Sequence, residues 1–328
     1  CWGSNSYGQL GDGTTESSAF PVDAINLPND IVAVTAGRGF SCALSGSGGV
    51  RCWGTNVSGE LGNGTIDGLE PPPYPIPDDV IDPEDPSDLL SNVIALDSGE
   101  KTACVVIADG HVKCWGDNSF GGLGDMTTVP SGVPVIVIDF SDPYGSELLS
   151  GVVAVSAGQH SCAVNDLGKI RCWGRNGMGQ LGDGTTDTRG YPADVIGLPE
   201  GISAVSVATG LLHTCALLED GEVWCWGENL FVPYGEDKYT TAVHVPMDST
   251  PPEIVLHVDG TLGENGWYVD DVTLVWEVND DESEVLWIEG CGEQQIDYDT
   301  LGVTFTCTAT SAGGANSESV TIKRDATD

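Results

Sequence analysis

The sequence has few basic residues. Only 11 of its 328 residues are Lys or Arg, against 50 that are Asp or Glu, so the formal net charge is −39 at pH 7. A field of this sign repels phosphate backbones and anionic membrane surfaces. We therefore expect no nucleic-acid partner. The same charge would keep the protein soluble and could attract divalent cations.

Long apolar runs are also missing. No stretch approaches the ~20 residues that a membrane-spanning helix needs, so we expect no membrane insertion by this segment. The chain does not begin with Met, and Cys1 falls in the middle of a repeat. The last residues, 323–328, read like the start of a linker. The sequence is interpreted as part of a longer polypeptide whose targeting signal lies elsewhere.

Familiar catalytic motifs are absent as well. The patterns G-x-S-x-G, G-x-x-x-x-G-K-[ST] and H-E-x-x-H do not occur, so the sequence predicts neither a cofactor nor an enzyme. A pair of carboxylates for glycoside hydrolysis stays open with so many acidic residues. Two histidines recur two residues before a Cys, which favours packing over catalysis. The five histidines are His111, His160, His213, His244 and His257.

A repeat dominates what is present. Cys-Trp-Gly occurs at residues 1, 52, 114, 172 and 225, and most copies continue through Asn to Gly-x-Leu-Gly. The copies start 51 to 62 residues apart, and a period of this length indicates one supersecondary unit per copy. Each complete copy contains four short strand-like runs, as a propeller blade does. The sequence therefore predicts an all-β propeller over residues 1–247, with four complete copies and part of a fifth.

The cysteines follow the same period. Four pairs are ten residues apart, and a Gly follows each midpoint, which fits a hairpin whose last loop residue has positive φ. Opposed Cβ atoms in a hairpin lie about 4.5–5.5 Å apart, near the separation that a disulfide needs. Zinc sites use shorter spacings between cysteines, and free thiols would not explain the fixed position of the Gly between the two cysteines. The predicted disulfide cysteines are Cys42 with Cys52, Cys104 with Cys114, Cys162 with Cys172, Cys215 with Cys225, and Cys291 with Cys307.

Disulfides predict an oxidising compartment, and hence a secreted or cell-surface protein. Cys1 is left over, and its partner would lie ten residues upstream. Two Pro- and Asp-rich insertions, residues 66–90 and 126–149, are expected to form loops at one rim of the blades. A basic residue recurs two positions before the repeated Trp, as in Arg51 and Arg171. We expect it to pair with a carboxylate of a neighbouring blade, and a nucleic-acid stacking platform is the alternative.

The repeat ends before residues 248–252, which we interpret as a linker. Residues 253–325 alternate apolar and polar side chains, so they predict a small antiparallel β-sandwich with one solvated face per sheet. Cys307 falls on the apolar face, as in an immunoglobulin-like domain. Calcium is possible at a cluster of aspartates that does not match the EF-hand spacing. These are Asp259, Asp270, Asp271, Asp280 and Asp281.

The unit Cys-Trp-Gly-x-Asn-x-x-Gly-Gln-Leu-Gly-Asp-Gly-Thr resembles the repeat of the RCC1 (regulator of chromosome condensation) family, most closely its secreted bacterial branch. The resemblance covers residues 1 to about 247 and implies a β-propeller, seven-bladed in the best-known members, so further blades of the same longer chain are implied. Residues 253–325 are similar to the tandem immunoglobulin-like modules of exported bacterial proteins, and further modules are implied. Nothing in this sequence maps onto the guanine-nucleotide exchange loop of the nuclear family member.

Two classes of function remain. The first is a non-catalytic extracellular or cell-surface binding or adhesion scaffold whose loops recognise a protein or a glycan. It is favoured because propeller loops vary in sequence while the β-sheets that carry them stay the same. The second is part of a secreted hydrolase with its catalytic domain elsewhere, or an enzyme-inhibiting propeller. The recognition surface is predicted where the copies differ: residues 66–90, 126–149 and 230–239.

Overall fold

The computed structural model describes residues 1–68, 72–81, 89–140, 147–228, 238–245 and 250–326. Within these ranges the structure is all-β and contains no α-helix, only one short 3-10 turn, Glu264–Gly266. No helix within the described ranges is long and apolar enough to cross a membrane. The chain divides into two units, Cys1–Val245 and Pro246–Asp328.

The first unit contains four four-stranded antiparallel sheets in chain order. The first two sheets comprise β1 (Ile31–Ala36), β2 (Phe40–Ser45), β3 (Val50–Gly54), β4 (Tyr74–Asp79), β5 (Val93–Gly99), β6 (Thr102–Ile107), β7 (Val112–Gly116) and β8 (Ser131–Ile136). A small hairpin follows, β9 (Ile138–Asp139) with β10 (Glu147–Leu148). The last two sheets comprise β11 (Val152–Ser156), β12 (His160–Asn165), β13 (Ile170–Gly174), β14 (Arg189–Asp194), β15 (Ala204–Thr209), β16 (His213–Leu218), β17 (Val223–Glu228) and β18 (Lys238–Val245).

Every sheet keeps its strands in sequence order, so each is a simple meander. The first strands of consecutive sheets pack against one another, β1 on β5, β5 on β11 and β11 on β15. The four sheets are therefore arranged as successive blades with the first strand innermost, as in a propeller. Apolar clusters fill the space between neighbouring blades; one joins Leu61 and Val80 of one repeat to Trp115 of the next.

The disulfides lie on the second and third strands of each blade. Cys42 is directly opposite Cys52, and the same register recurs in the other three blades. The Cα atoms of each bridged pair are 4.1 Å apart. The turn glycine, Gly48 in the first blade, has a φ of +85°. Together with Cys291–Cys307 the described residues hold five disulfides, at the five cysteine pairs that the spacing predicts, and Cys1 is free and exposed.

The two insertions are shorter than the sequence suggests. The fourth strands of the first two blades, β4 and β8, lie inside residues 66–90 and 126–149, so the expectation of loops throughout these ranges was wrong. Each fourth strand is an outer edge that pairs only with the third strand. Pro75 and Pro77 fit β4 because an edge strand leaves one row of N–H groups without a ladder partner. Residues 69–71, 82–88 and 141–146 lie outside the described residues.

The recurring basic residue has a different main partner from the expected one. Nε of Arg51 is 2.7 Å from Asp79, and Nε of Arg171 is 2.8 Å from Asp194. Both carboxylates belong to the fourth strand of the same blade, where they lie directly opposite the arginine in register. Directly opposite neighbours are closer than a residue of the next blade. Arg171 also pairs with Asp139 of the hairpin that precedes its blade.

The second unit is made of two three-stranded sheets. One contains β19 (Glu253–Asp259), β20 (Val272–Asn279) and β22 (Gln294–Ile296), and the other contains β21 (Trp287–Glu289), β23 (Thr300–Ser311) and β24 (Gly314–Arg324). Ile254 and Trp276 of the first sheet pack with Cys307 and Ala309 of the second. The alternation of the sequence thus places one face of each sheet in a shared core.

Candidate binding face

Strand order gives the first unit two different faces. The end of each first strand, the start of the second and the end of the third lie at the same edge of a blade. We call this edge the loop face: residues 4–8, 37–39, 55–59, 100–101, 117–121, 157–159, 175–179 and 210–212. The opposite edge carries the turns between the second and third strands. We call it the hairpin face: residues 46–49, 108–111, 166–169 and 219–222.

A buried asparagine organises each segment that leaves the third strand. The Nδ2 atom of Asn118 donates to Asp125 Oδ1 at 3.0 Å, Thr127 Oγ1 at 3.0 Å and the Thr127 and Val129 carbonyls at 3.2 Å. Its Oδ1 accepts the Leu123 N–H at 3.0 Å. The equivalent side chains, Asn5, Asn56 and Asn176, are also fully buried and make the same kind of contacts. One amide thus holds a whole Gly-rich segment in shape.

The repeated tryptophan ties that segment to the next blade. Nε1 of Trp173 donates to the Gly122 carbonyl at 2.8 Å, and Trp115 donates to the Glu60 carbonyl at 2.9 Å. Both rings are fully buried. The Gly of Leu-Gly-Asp leaves room for the ring, because a Cβ at Gly124 would come within 2.9 Å of Trp173 Nε1. Trp2, at the same motif position, is 69% exposed.

Glu60 is a buried carboxylate in the second Gly-x-Leu-Gly segment. Its Oε2 accepts the Ser58 N–H at 2.7 Å, and within the described structure its buried Oε1 has no hydrogen-bond partner. Burial raises the pKa of the Glu60 carboxyl above its usual value. Gln9 and Gln180 occupy this position in other repeats and accept the equivalent N–H. The amide therefore satisfies the same contact without a charge.

We expect Glu60→Gln to raise the free energy of unfolding at pH 7 by about 1 kcal/mol, since the amide has no ionised form to desolvate. The folded pKa lies above the unfolded one, so wild type loses stability as pH rises from about 4.5 through the folded pKa. Urea unfolding at pH 4 and pH 7 measures this. The increase in the free energy of unfolding caused by Glu60→Gln should vanish at pH 4. Glu16→Gln, at an exposed position, is the control, and an equal gain there would contradict the interpretation.

His160 is a buried histidine between the third and fourth blades. Thr214 uses its hydroxyl proton to donate to the Gln180 carbonyl at 2.8 Å. The contact of 2.7 Å between His160 Nε2 and Thr214 Oγ1 must therefore have the imidazole as donor. Its Nδ1 is then an unprotonated acceptor, and it has no partner among the described residues. Burial, with a smaller electrostatic effect of the neighbouring His213 and Arg175 side chains, lowers the pKa of His160 to about 3.

Acidification should therefore weaken the first unit. Below pH 6.5 the unfolded chain takes up a proton that the folded imidazole does not, so each pH unit down to about 3 removes up to ~1.4 kcal/mol. Between pH 7.5 and 5 this amounts to about 2 kcal/mol for one group. Urea unfolding across this range should show a shallower pH dependence for His160→Gln than for wild type. His257→Gln, at an exposed site, should keep the wild-type slope; if His160→Gln also keeps it, the assignment is wrong.

A belt of polar side chains joins the innermost strands. Asp97 accepts the Thr35 hydroxyl at 3.2 Å and the Ser156 hydroxyl at 2.9 Å. Ser156 also lies 3.0 Å from the Thr209 hydroxyl. These four residues belong to β1, β5, β11 and β15, so the hydrogen bonds run from blade to blade. The belt fixes neighbouring blades relative to one another and hence fixes the loops at their ends.

The loop face presents large side chains on this frame. Tyr7 is 46% exposed, Phe120 36% and Leu211 52%. The guanidinium of Arg175 lies 5.1 Å from the Phe120 ring and donates to the Gln159 side chain. The Arg38 side chain is 75% exposed and lies beside Glu100. Aromatic side chains and arginines are the types enriched at the energetic centres of protein interfaces.

The two faces also differ in charge. The loop face has three basic residues, Arg38, Lys101 and Arg175, against two acidic ones, Glu100 and Asp117. The hairpin face has one basic residue and five acidic ones, Asp109, Asp166, Glu219, Asp220 and Glu222, against Lys169. A groove of about 490 Å³ opens beside Leu167 on the hairpin side, and Asp194 in its lining is already paired with Arg171. Among the described residues assigned to the two faces, the loop face is thus less acidic than the hairpin face.

Sequence reasoning placed recognition elsewhere. Most of residues 66–90 and 126–149 that the structure describes are strand or turn, and residues 229–237 lie outside the described part. The sequence signal for the loop face was the variation two residues after the buried Asn, where successive repeats carry Tyr7, Ser58, Phe120 and Met178. Which of these positions are exposed depends on the blade geometry, so the variation alone did not identify them.

The aspartates considered for calcium are not gathered into one site. Asp270 accepts the Thr261 N–H and hydroxyl, Asp271 pairs with Arg324, and Asp281 accepts from Asn279. Within the described residues no three His, Cys, Asp or Glu side chains form a group that could hold a metal ion. The hydrogen bonds of Thr261 lower the pKa of Asp270.

Comparison with known proteins identifies the repeat. Two profiles of the regulator of chromosome condensation (RCC1) repeat match the chain, one over residues 1–44 and 168–217. The other matches residues 31–60, 93–121, 152–180 and 204–231, one range in each of the four blades.

Two relatives are similar over more than half of the chain. The E3 ubiquitin-protein ligase HERC2 of Mus musculus is 30% identical over 231 residues, which are 70% of this chain and 4% of that protein. The ultraviolet-B receptor UVR8 of Arabidopsis thaliana is 30% identical over 205 residues, 61% of this chain and 42% of the receptor. The chain thus spans less than half the length of these relatives.

Solved structures show the same fold. Human WBSCR16 has a TM-score of 0.62 at 23% identity, covering 77% of this chain and 63% of that one. Yeast RCC1 (Prp20), solved with Kap60 bound, has a TM-score of 0.59 at 18% identity, covering 97% of this chain and 77% of that one. At these identities the likeness is one of fold.

Proposed function

Residues 1–231 carry repeats of the RCC1 family, and on this premise we propose that the first unit is a non-catalytic scaffold whose loop face binds a protein. The proposal rests on a contrast between the buried residues that recur in the repeats and the exposed residues of the loop face. The Asn of four repeats, the Trp of the four blades and the Cys of the first three blades are buried and make the same contacts in successive repeats, whereas exposed loop-face residues such as Tyr7 and Phe120 differ between repeats. A fixed frame with variable exposed loops is the arrangement of binding proteins.

Charge supports the choice of this face. A partner that approaches the hairpin face meets five carboxylates, while the loop face offers arginines and aromatic rings. The loop face is a broad surface, and a broad surface suits a protein partner better than a deep pocket does. Yeast RCC1 (Prp20), which has the same fold, was solved with a protein, Kap60, bound to it.

We also propose that the protein works in an oxidising compartment, secreted or at a cell surface, with the second unit as an immunoglobulin-like module of the bacterial type. Five disulfides within the described residues support the compartment. The two packed three-stranded sheets around Cys307 support the module. Alkylation of native material followed by mass mapping tests the compartment, and free thiols at Cys42, Cys52, Cys162 and Cys172 would overturn it.

Site-specific photocrosslinking tests the binding face. A photoreactive residue at Tyr7 or Phe120 of the disulfide-intact chain should capture the same protein from the native surroundings, and Arg175→Ala should reduce the capture at Phe120 at least tenfold. The control position is Leu167 on the hairpin face, which is 70% exposed. Equal capture of that protein at Leu167, or capture that survives Arg175→Ala undiminished, would reject the loop face.

A further inference from the structure

A ladder of paired hydroxyl groups runs along the solvent face of β23 and β24 in the second unit. Thr304 lies 2.7 Å from Thr321. Thr306 lies 2.8 Å from Ser319, and Thr308 lies 3.0 Å from Ser317. Each of these pairs is directly opposite in the antiparallel register. We call these six residues, with their distances measured between hydroxyl oxygens, the hydroxyl ladder.

The ladder is a rigid set of hydrogen-bonding groups. In the Thr304–Thr321 and Thr306–Ser319 pairs one hydroxyl donates to the other, so the accepting hydroxyl keeps its own proton for an outside partner. The hydroxyl of Ser317 also donates to the Cys307 carbonyl at 3.3 Å. Residues two apart on a strand are about 6.6–6.8 Å apart, and neighbouring strands are about 4.8 Å apart. Threonine is stiff at χ1, so its hydroxyl is already oriented before a ligand arrives. The face therefore displays donors and acceptors at regular intervals.

An exposed tryptophan lies at the edge of the same face. Trp287 on β21 is directly opposite Thr310, the next outward residue of β23 after the ladder. Opposite residues of an antiparallel pair share a face. The Trp287 side chain is 50% exposed. A shallow apolar groove of about 400 Å³, lined by Val278, Val285 and Leu286, adjoins it.

This face carries little charge although the chain carries −39. Glu289, directly opposite Thr308, is the acidic residue of the face. Lys323, the next outward position of β24 after Thr321, is its basic residue, and the remaining outward positions that the structure describes there are Thr, Ser, Ala, Gly and Trp. An acidic protein that keeps one flat face nearly uncharged offers that face to an uncharged ligand, because an anionic ligand would meet the field of the rest of the chain.

We propose that the hydroxyl ladder and Trp287 form a binding site for a neutral polysaccharide. A sugar ring has hydroxyl groups at its rim, which match paired donors and acceptors, and C–H groups on its faces, which stack on an indole ring. A repeating ligand suits a repeating array, since each successive sugar meets the same groups. The site lies in the second unit and is independent of the protein-binding face of the first.

Retention on polysaccharides tests the proposal. The full chain is incubated with cellulose and chitin as insoluble supports, and with xylan and mannan in affinity gels, with polygalacturonate as the anionic comparison. We expect binding to at least one of the four neutral polymers. Trp287→Ala should weaken that binding at least tenfold, and so should the combined Thr304→Val, Thr306→Val and Thr308→Val variant, which keeps β-branched side chains of the same size.

The control is Tyr298→Ala, which removes another half-exposed aromatic of the same unit outside the ladder and should leave binding unchanged. Near-ultraviolet circular dichroism and the intact Cys291–Cys307 disulfide confirm that each variant is folded. Binding to none of the four neutral polymers, stronger binding to polygalacturonate, or equal binding by the Trp287 and triple-threonine variants would overturn the proposal. Photocrosslinking at Tyr7 and Phe120 is unaffected by any of these outcomes, so the two proposals fail separately.

Discussion

Replacing Trp173 with Ala is expected to lower the free energy of unfolding of the first unit by about 3–5 kcal/mol. The indole is fully buried between two blades, and its removal leaves a cavity bounded by the backbone at Gly124. The hydrogen bond from Nε1 to the Gly122 carbonyl is lost as well. That carbonyl keeps the Ser161 hydroxyl as a donor at 3.0 Å, so most of the loss comes from packing. Urea unfolding followed by tryptophan fluorescence and circular dichroism measures it.

Leu167→Ala is the control, because it removes a large apolar side chain from the same blade at a position that is 70% exposed. It should change stability by no more than about 0.5 kcal/mol. Trp173→Phe should fall between the two, since it keeps part of the ring volume and loses the N–H donor. Equal effects of Trp173→Ala and Leu167→Ala would mean that the repeated tryptophan does not hold the blades together.

The period of the repeat was enough to predict the blades, for a physical reason. Each blade must bury the same edges against its neighbours, so the residues at those edges, such as Trp115 and Trp173, recur at a fixed position. The disulfides followed from the same logic, because a three-residue hairpin loop with a positive-φ Gly at position 48 fixes which cysteines face each other. The disulfide register is a local constraint that a single copy of the motif already contains, whereas the blades are predicted only from several copies together.

The outer strands β4 and β8 could not be predicted in this way. They pair through one edge only and tolerate Pro75 and Pro77, so they lack the composition that marks a strand. The partner of Arg171 was missed for the same reason, since Asp194 becomes its neighbour only once β14 is placed in register. The loop face depends on which strand ends coincide, and that is a property of the assembled sheets.

In the second unit, alternation predicted which side chains of β23 face outward but not what they face. The pairing of Thr306 with Ser319 depends on the register, which the turn between Ser311 and Gly314 sets. A shift by one residue would have placed these hydroxyls on opposite faces. The hydroxyl ladder is therefore a property of the pair of strands and is not visible in either strand alone.

Asn118→Asp is expected to cost at least about 3 kcal/mol at pH 7, although it replaces one nitrogen by oxygen. The amide donates to the carbonyls of Thr127 and Val129 and to Asp125. A carboxylate cannot donate to any of them, and it would be a buried negative charge facing three oxygens that carry negative charge. The loss should shrink as the pH falls, because a protonated carboxyl recovers one donor. Urea unfolding at pH 7 and pH 4 measures both effects.

Asn165→Asp is the matched control. Oδ1 of Asn165 accepts the N–H groups of Leu167 at 3.1 Å and Lys169 at 2.9 Å, and both contacts survive when the side chain becomes a carboxylate. Its cost should stay within about 0.5 kcal/mol. The two asparagines differ in function: Asn165 only accepts, whereas Asn118 mainly donates. If both substitutions cost the same, the Asn of the repeated motif is not the residue that holds the Gly-rich segments, and the rigid frame on which the loop face depends must have another source.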